Sequence, residues 1–449
     1  MEIYDILKSN GIDALGAESV PADYTHDECA GITGIPDAVV EACCTEDVAK
    51  VIGLCAGAGV PVTVRGAGTG KAGGSVAVNG GVVLSLKGMN KVIGFDEEAA
   101  ALTVQPGMLL QDVKAEAAAH GLDYPPDPGE QTATIGGNAS TNASGPSACK
   151  YGATKDYVLD ATVVLADGSV VKLSEKPEYA NILGSEGTLG VITELTLKLV
   201  KRPAKDVILL LPFMDSQSCI SAAHKLSGFS PAVLEYLDTD LVEFSGKVTG
   251  NPVFPVSMDG ERVGATLMLQ LEGEDDDSLD EQMEAVAELA EELECLDILV
   301  VDTPTLKREV WTAHDAFHTS METAKSEGEM NVDVPPEAVA EFVEYAKGLS
   351  GGEVSVMAYA HVLSGGVHVH AASTLSKEEF VPVFAELAAA VYGKCSELGG
   401  DVSGEYGIGC AKTGYLAEEH RAAHRELKSE LDPKGILNPG KSNGMKSSR

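Results

Sequence analysis

Three stretches of this chain carry almost no bulky side chains, and they restrict what it can fold into more than any other feature. Residues 65–76 read RGAGTGKAGGSV, residues 127–152 read DPGEQTATIGGNASTNASGPSACKYG and residues 184–194 read GSEGTLGVITE. Glycine admits positive φ and close backbone approach, so successive N–H groups can line a concavity that receives phosphate oxygens. One such loop is often only a surface turn. Three in one chain suit a backbone-lined channel around an extended ligand. The first segment lacks the continuation of a Rossmann fingerprint, a helix with an acidic residue about 20 positions on.

The surrounding pattern is mixed. Residues 37–60 read as a helix capped by Asp37, with Val39, Val40, Val48, Val51 and Ile52 near helical spacing. VAVNGGVVLSL reads as strand, turn and strand, residues 92–104 alternate as strands, and Leu109–His120 returns to helix, closed by Gly121. Residues 158–172 form a hairpin pattern with Asp167-Gly168 at its tip, and 189–200 is a further β-rich run. Regular βαβ alternation is absent, which argues against a doubly wound sheet. After KRPAKD at 201–206 comes the strand VILLLPF, and 274–295 is an acidic helix with Met283, Val286, Leu289 and Leu293 on its inner face. These signals place a ligand-binding domain over 1–205, a second domain over 206–415 and a C-terminal segment over 416–449.

Composition narrows the function. With 32 basic and 69 acidic side chains the formal charge is -37, which repels nucleic-acid backbones and anionic membrane surfaces. An anionic substrate would need a local positive site. The 9 cysteines include no C-x-x-C pair, so neither a disulfide framework nor an iron–sulfur site is expected. No signal peptide and no apolar run near the roughly 18 residues of a membrane span is present, and a cytoplasmic location is expected.

Six ordered motifs carry a resemblance over nearly the whole chain: RGAGTG at 65–70, TIGGN at 134–138, KYG at 150–152, GSEGTLGVITE at 184–194, SGE-x-GIG at 403–409 and NPGK at 438–441. The sequence resembles the FAD-linked oxidases and dehydrogenases of the vanillyl-alcohol-oxidase superfamily, in the branch of D-lactate dehydrogenase, D-2-hydroxyglutarate dehydrogenase and the FAD subunit of glycolate oxidase. That likeness implies an α+β fold, with a PCMH-type FAD-binding domain of two subdomains and a cap domain of antiparallel sheet covered by helices. It implies cofactor contacts from Arg65, Gly66, Ala67, Gly68, Thr69, Gly70 and Gly74 in the first segment. The second would contribute Pro128, Thr134, Gly136, Gly137, Asn138, Thr141, Asn142, Gly145, Tyr151 and Gly152. Glu186, Gly187, Gly190, Val191 and Ile192 would follow, with Asn438 returning the C-terminus to the flavin. Residues 65–76 contain no histidine, the usual covalent anchor in or near the first loop, so non-covalent FAD is expected.

Five of the ten histidines fall between 314 and 370. In a strand, His368 and His370 project to one face, where two imidazoles with a carboxylate suit a divalent cation, although hydrogen-bonded core histidines would show the same pattern. The resemblance implies that His361, His368 and Glu405 hold such a metal (Zn, Fe or Mn), which would bind the substrate and favour its alkoxide for hydride transfer to flavin N5.

The sequence also departs from its family. Where a histidine usually follows the glutamate as base, this chain has Tyr406, and a tyrosine serves as base only with a cation or metal lowering its pKa. His370 stands where an asparagine is common, and Trp311-Thr312-Ala313-His314 replaces a Trp-x-x-Arg whose arginine clamps a substrate carboxylate. His314, His370 and Tyr406 are therefore the catalytic candidates. The expected reaction is oxidation of a D-2-hydroxy acid, with electrons leaving through an iron–sulfur subunit or an electron-transfer flavoprotein. Two alternatives stay open: a non-acid aryl or alkyl alcohol with Tyr406 as base, and a non-catalytic electron-relay subunit. A homo-oligomer is also left open.

Overall fold

Short β-branched runs separated by glycine turns cannot each bury a hydrophobic face alone, and in the computed structural model they gather into sheets. The structure describes residues 2–442, which divide into two compact units. The first takes in the chain to Ser144, Ala153–Arg202 and the part from Glu405 onward; the second takes in Gly145–Gly152 and Pro203–Gly404.

In the first unit, a four-stranded sheet runs Leu15–Gly16, Ala38–Glu41, Val82–Ser85, Val62–Arg65. Ala38–Glu41 and Val62–Arg65 both lie parallel to the intervening Val82–Ser85. A second sheet of five antiparallel strands runs Val92–Asp96, Ala101–Val104, Val191–Lys198, Val158–Val164, Val170–Lys172. Helix Thr45–Ala58 sends Val48, Val51, Ile52 and Cys55 into a core shared with Val82 and Leu84 of one sheet and Val164 and Val191 of the other.

Two local readings are corrected. Residues 37–60 are not one helix: Ala38–Glu41 is a strand, and the helix begins only at Thr45. Asp37 is no cap; its carboxylate accepts the Gly81 N–H at 2.8 Å and joins strand to strand, and the adjacent valines fit a pleated surface better than a helical turn. The first half of VAVNGGVVLSL is turn, closed by Val78 N–H to Val76 O (2.9 Å) and Gly80 N–H to Ala77 O (3.0 Å). The parallel trio also supplies one βαβ crossover that the sequence pattern did not show.

The second unit is built on one seven-stranded antiparallel sheet, in the order Leu299–Val301, Lys205–Phe213, Ala265–Gly273, Val233–Asp238, Val354–His361, Gly366–Ser373, Ser326–Asp333. Helices cover it. Helix Asp276–Glu292 starts at a capping box between Asp275 and Ser278 and buries Leu279, Val286 and Ala290. Helix Pro304–Met321 starts on the Thr303 cap and turns Val310, Ala313, His314, Phe317 and Met321 inward, one or two turns apart. Its apolar residues join Met268 and Met357 of the sheet in one core.

The hairpin Val354–His361/Gly366–Ser373 fixes which side chains meet. Its register sets Tyr359 opposite His368, Met357 opposite His370 and His361 opposite Gly366. The turn requires glycine at 365, where φ is 85° and a Cβ would overlap the Val334 carbonyl oxygen. That carbonyl's own residue is bound in turn, Val334 N–H donating to Gly365 O at 2.8 Å.

Candidate functional site

The first unit assembles the glycine-rich segments around few side chains. Strand Val62–Arg65 delivers the first loop, and buried Arg65 braces it: the guanidinium donates to Asp23 O (2.7 Å), His26 O (2.8 Å) and Ser75 Oγ (3.2 Å). Ser75 Oγ in turn lies 3.3 Å from the Asp27 carboxylate, so both ends of the loop are tied. Gly66 touches the second segment, since a Cβ there would overlap the Thr134 hydroxyl. Thr134 caps helix Ile135–Thr141, accepting the Gly137 N–H at 3.3 Å. Asn142 closes that helix in the left-handed region and accepts the Lys155 N–H at 2.9 Å. Thr141 hydrogen-bonds back to Gly137 O at 3.2 Å, and Pro128 belongs to a turn held by Asp127, which accepts from Gly129 N–H (3.2 Å) and Gln131 Nε2 (2.7 Å).

Three motifs converge on Glu186. Its carboxylate accepts the N–H groups of Ile408 (2.8 Å) and Gly409 (2.7 Å), and its carbonyl accepts Asn438 Nδ2 at 2.7 Å. Asn438 also accepts the Val64 N–H at 3.2 Å, so GSEGTLG, GIG and NPGK close on the first β-loop. Gly190, Val191 and Ile192 are buried at the start of strand Val191–Lys198, and the Val191 side chain belongs to the core. Gly145, Tyr151 and Gly152 fall in the second unit instead, where the Tyr151 hydroxyl donates to Glu272 at 2.5 Å.

Lys441 was missed by sequence reasoning. A lysine after Asn-Pro-Gly reads as an exposed turn residue, yet it is buried, 3.3 Å from Thr63 Oγ1 and 3.4 Å from Asn438 Oδ1. Burial pushes its ammonium down to about 8, against the opposing pull of Cys410, Asp27 and Glu186. The buried Asn138 Nδ2 has no hydrogen-bond partner among the described residues. A free amide donor, a buried cation and loops without side chains fit a long cofactor carrying phosphates.

The second unit carries the histidines. Strand alternation puts Tyr359, His361, His368 and His370 on one face, with Glu235 opposite His361, and with Asn331 and Glu329 opposite His368 and His370. Glu235, fully buried, accepts from His361 Nδ1 at 2.6 Å and lies 3.8 Å from His314 Nε2. Burial works to raise the Glu235 carboxyl, but His361 and His314 outweigh it and hold it below the ordinary value. His314 is the converse case: burial lowers it, and hydrogen bonds to Asp315 and Glu235 raise it overall. The Tyr359 ring stacks on His368 at 4.3 Å, and the His361 and His368 rings meet edge to face at 5.2 Å. Glu329 lies 3.4 Å from His368 Nδ1 and 2.8 Å from His318 Nδ1. Carboxylates thus sit on the Nδ1 atoms of both His361 and His368, the arrangement by which metal-ligating histidines are oriented.

Glu235 and Glu329 were also missed. The signal for Glu235 was present in LEYLD, a buried strand carrying the carboxylates Glu235 and Asp238. Glu405 and Tyr406 belong to the first unit. There the Ser144 hydroxyl donates to Glu405 at 3.2 Å, and Lys71 Nζ sits 5.0 Å over the Tyr406 ring.

The fold is that of the PCMH-type class of FAD-binding proteins. Residues 36–174 match the FAD binding domain family, and residues 202–442 match the C-terminal domain of FAD linked oxidases. The chain belongs to the FAD-linked oxidase family. It is 39% identical to a D-lactate dehydrogenase of Anaerostipes hadrus over 95% of this chain and 94% of that protein. It is 32% identical to a D-lactate dehydrogenase of Archaeoglobus fulgidus (90% of each chain) and 29% identical to glycolate oxidase subunit GlcD of Bacillus subtilis (93% and 91%). In fold it is similar to an alkyldihydroxyacetonephosphate synthase, with a TM-score of 0.74 at 19% identity, over 98% of this chain and 84% of that one. No helix among the described residues is long and apolar enough to cross a membrane.

Proposed function

We propose that this flavoenzyme oxidises a D-2-hydroxy acid, of the lactate, glycolate or 2-hydroxyglutarate class, to the 2-oxo acid. The observation that carries the reading is the pair His361 and His368, each with a carboxylate on Nδ1 and all on one sheet face. Relatives that are D-lactate dehydrogenases support the substrate class. His361 and His368, with Glu405 as the carboxylate of the family pattern, would hold a divalent metal. When bound, that metal supplies Lewis acidity to the substrate's hydroxyl and carboxylate oxygens. Non-covalent FAD supplies the hydride acceptor at N5. Tyr406 takes the hydroxyl proton, with Lys71 as the neighbouring cation that a tyrosine base requires; His370 is the other base candidate. His314, paired with Glu235, replaces an arginine clamp and orients the acid end of the substrate by hydrogen bonding. Electrons leave to an iron–sulfur subunit or electron-transfer flavoprotein in the cytoplasm.

A second reading, the same oxidation of a non-acid alcohol, is favoured by the two carboxylates Glu235 and Glu329 on that face. A dye-acceptor screen of D-lactate, glycolate, D-2-hydroxyglutarate and aromatic alcohols separates them, and turnover of non-acids alone sinks the leading reading. His368→Ala should lower metal content and turnover while FAD stays bound; full activity in that variant refutes the metal assignment.

A further inference from the structure

We infer that the second unit holds an additional divalent-cation site, formed by His318, Glu329 and His370. None of the three belongs to the His361, His368 and Glu405 set. One ligand atom from each of the three lies within 4.8 Å of the others. They come from three elements. Glu329 of strand Ser326–Asp333 and His370 of strand Gly366–Ser373 are direct cross-strand partners, so their side chains leave the same face side by side. His318 reaches them from helix Pro304–Met321, one turn beyond the buried His314, with its Nδ1 2.8 Å from Glu329 Oε2 and its ring 6.4 Å from that of His370.

Two imidazoles and one carboxylate select a borderline transition ion, Zn2+ first and Mn2+ or Fe2+ next, over Mg2+ or Ca2+, which demand oxygen ligands. Ligands at roughly 2.1 Å from a tetrahedral ion stand about 3.4 Å apart, so the spacing asks only for side-chain rotations. His370 is 1% exposed, whereas the His318 side chain is 30% exposed, so the site reaches the surface along the His318 ring. Glu329 divides its oxygens: Oε1 faces His368 at 3.4 Å and Oε2 faces His318 at 2.8 Å. One carboxylate thus orients a histidine of the first set and serves as ligand of the second.

The test uses the full-length flavoprotein, stripped with a chelator, dialysed and titrated with Zn2+ alone, with bound metal counted by plasma mass spectrometry. Two equivalents are expected for the native chain and one for His318→Ala, with FAD absorbance and melting temperature confirming the fold. The same count in both proteins overturns the site. Anomalous scattering at the zinc edge from crystals of the native chain tests it without a variant: a peak among His318, Glu329 and His370 supports it, and metal elsewhere only refutes it. If His361→Ala leaves the count unchanged while His318→Ala lowers it, the metal reading under the proposed function fails and this site stands.

Discussion

Acid should loosen the first unit through one histidine, by an amount the structure lets us work out. His424, on helix Glu418–Leu431, is 3% exposed, and its Nε2 lies 2.8 Å from the Thr188 hydroxyl of the third glycine-rich segment. Burial, aided by repulsion from Lys428, pushes its pKa down to about 4 from the ordinary 6.5. The unfolded chain therefore binds a proton at a pH where the folded chain does not. This contribution to stability is complete above the unfolded value and is lost as pH falls, levelling off below the folded value. The slope is about 1.4 kcal/mol per pH unit, which gives about 1.4 kcal/mol lost at pH ~5.5 and about 3 kcal/mol in full. The assay is urea unfolding of the native chain and of His424→Gln at pH values of about 7.5 and 5.5, followed by flavin fluorescence. The variant keeps a polar partner for Thr188 but cannot titrate. It should lose less stability on acidification than the native chain, by roughly 1.4 kcal/mol. Equal acid sensitivity in both proteins would show that His424 is charged inside the fold and refute the reasoning.

Three further outcomes are expected. Gly66→Val places a side chain against the Thr134 hydroxyl, so the purified protein should lose its visible flavin absorbance; yellow protein of normal FAD content would exclude the close approach. Glu235→Gln removes the carboxylate on His361 and should weaken metal affinity about 10- to 100-fold, as loss of an outer partner usually does; an unchanged binding isotherm would show that Glu235 does not orient His361. Tyr406→Phe should slow turnover at least about tenfold if the hydroxyl is the base, and a negligible loss would assign the ring to packing.

Much of the fold was legible because glycine, proline and hydrophobic period act locally. The hairpin at Asp167-Gly168 and the helix within 274–295 could be read from their own residues, and both are present. Ala38–Glu41 could not, because a run of valines before a helix fits either period until a parallel neighbour supplies its hydrogen bonds. The same divide runs through the site. His361, His368 and His370 sit within ten positions and drew attention as a cluster. Glu235 is 126 positions from the His361 it bonds, and only strand pairing brings them together. Lys441 escaped because burial is a property of the packed chain, and nothing in its neighbours announces it.

The turn at Gly365 has a consequence for how such an enzyme can change its chemistry. Strand side chains alternate with a period of two, so a register slip of one residue would send His368 and His370 through to the opposite face of the sheet. With glycine at that turn the pairing is locked, and the alternate positions along each strand form two separate inventories. One set packs the fold and the other faces the histidine cluster. Substitutions such as His370, where an asparagine is common in the family, can then accumulate in the second set while the first holds the sheet unchanged. A panel of this kind lets substrate preference drift over a backbone that does not move.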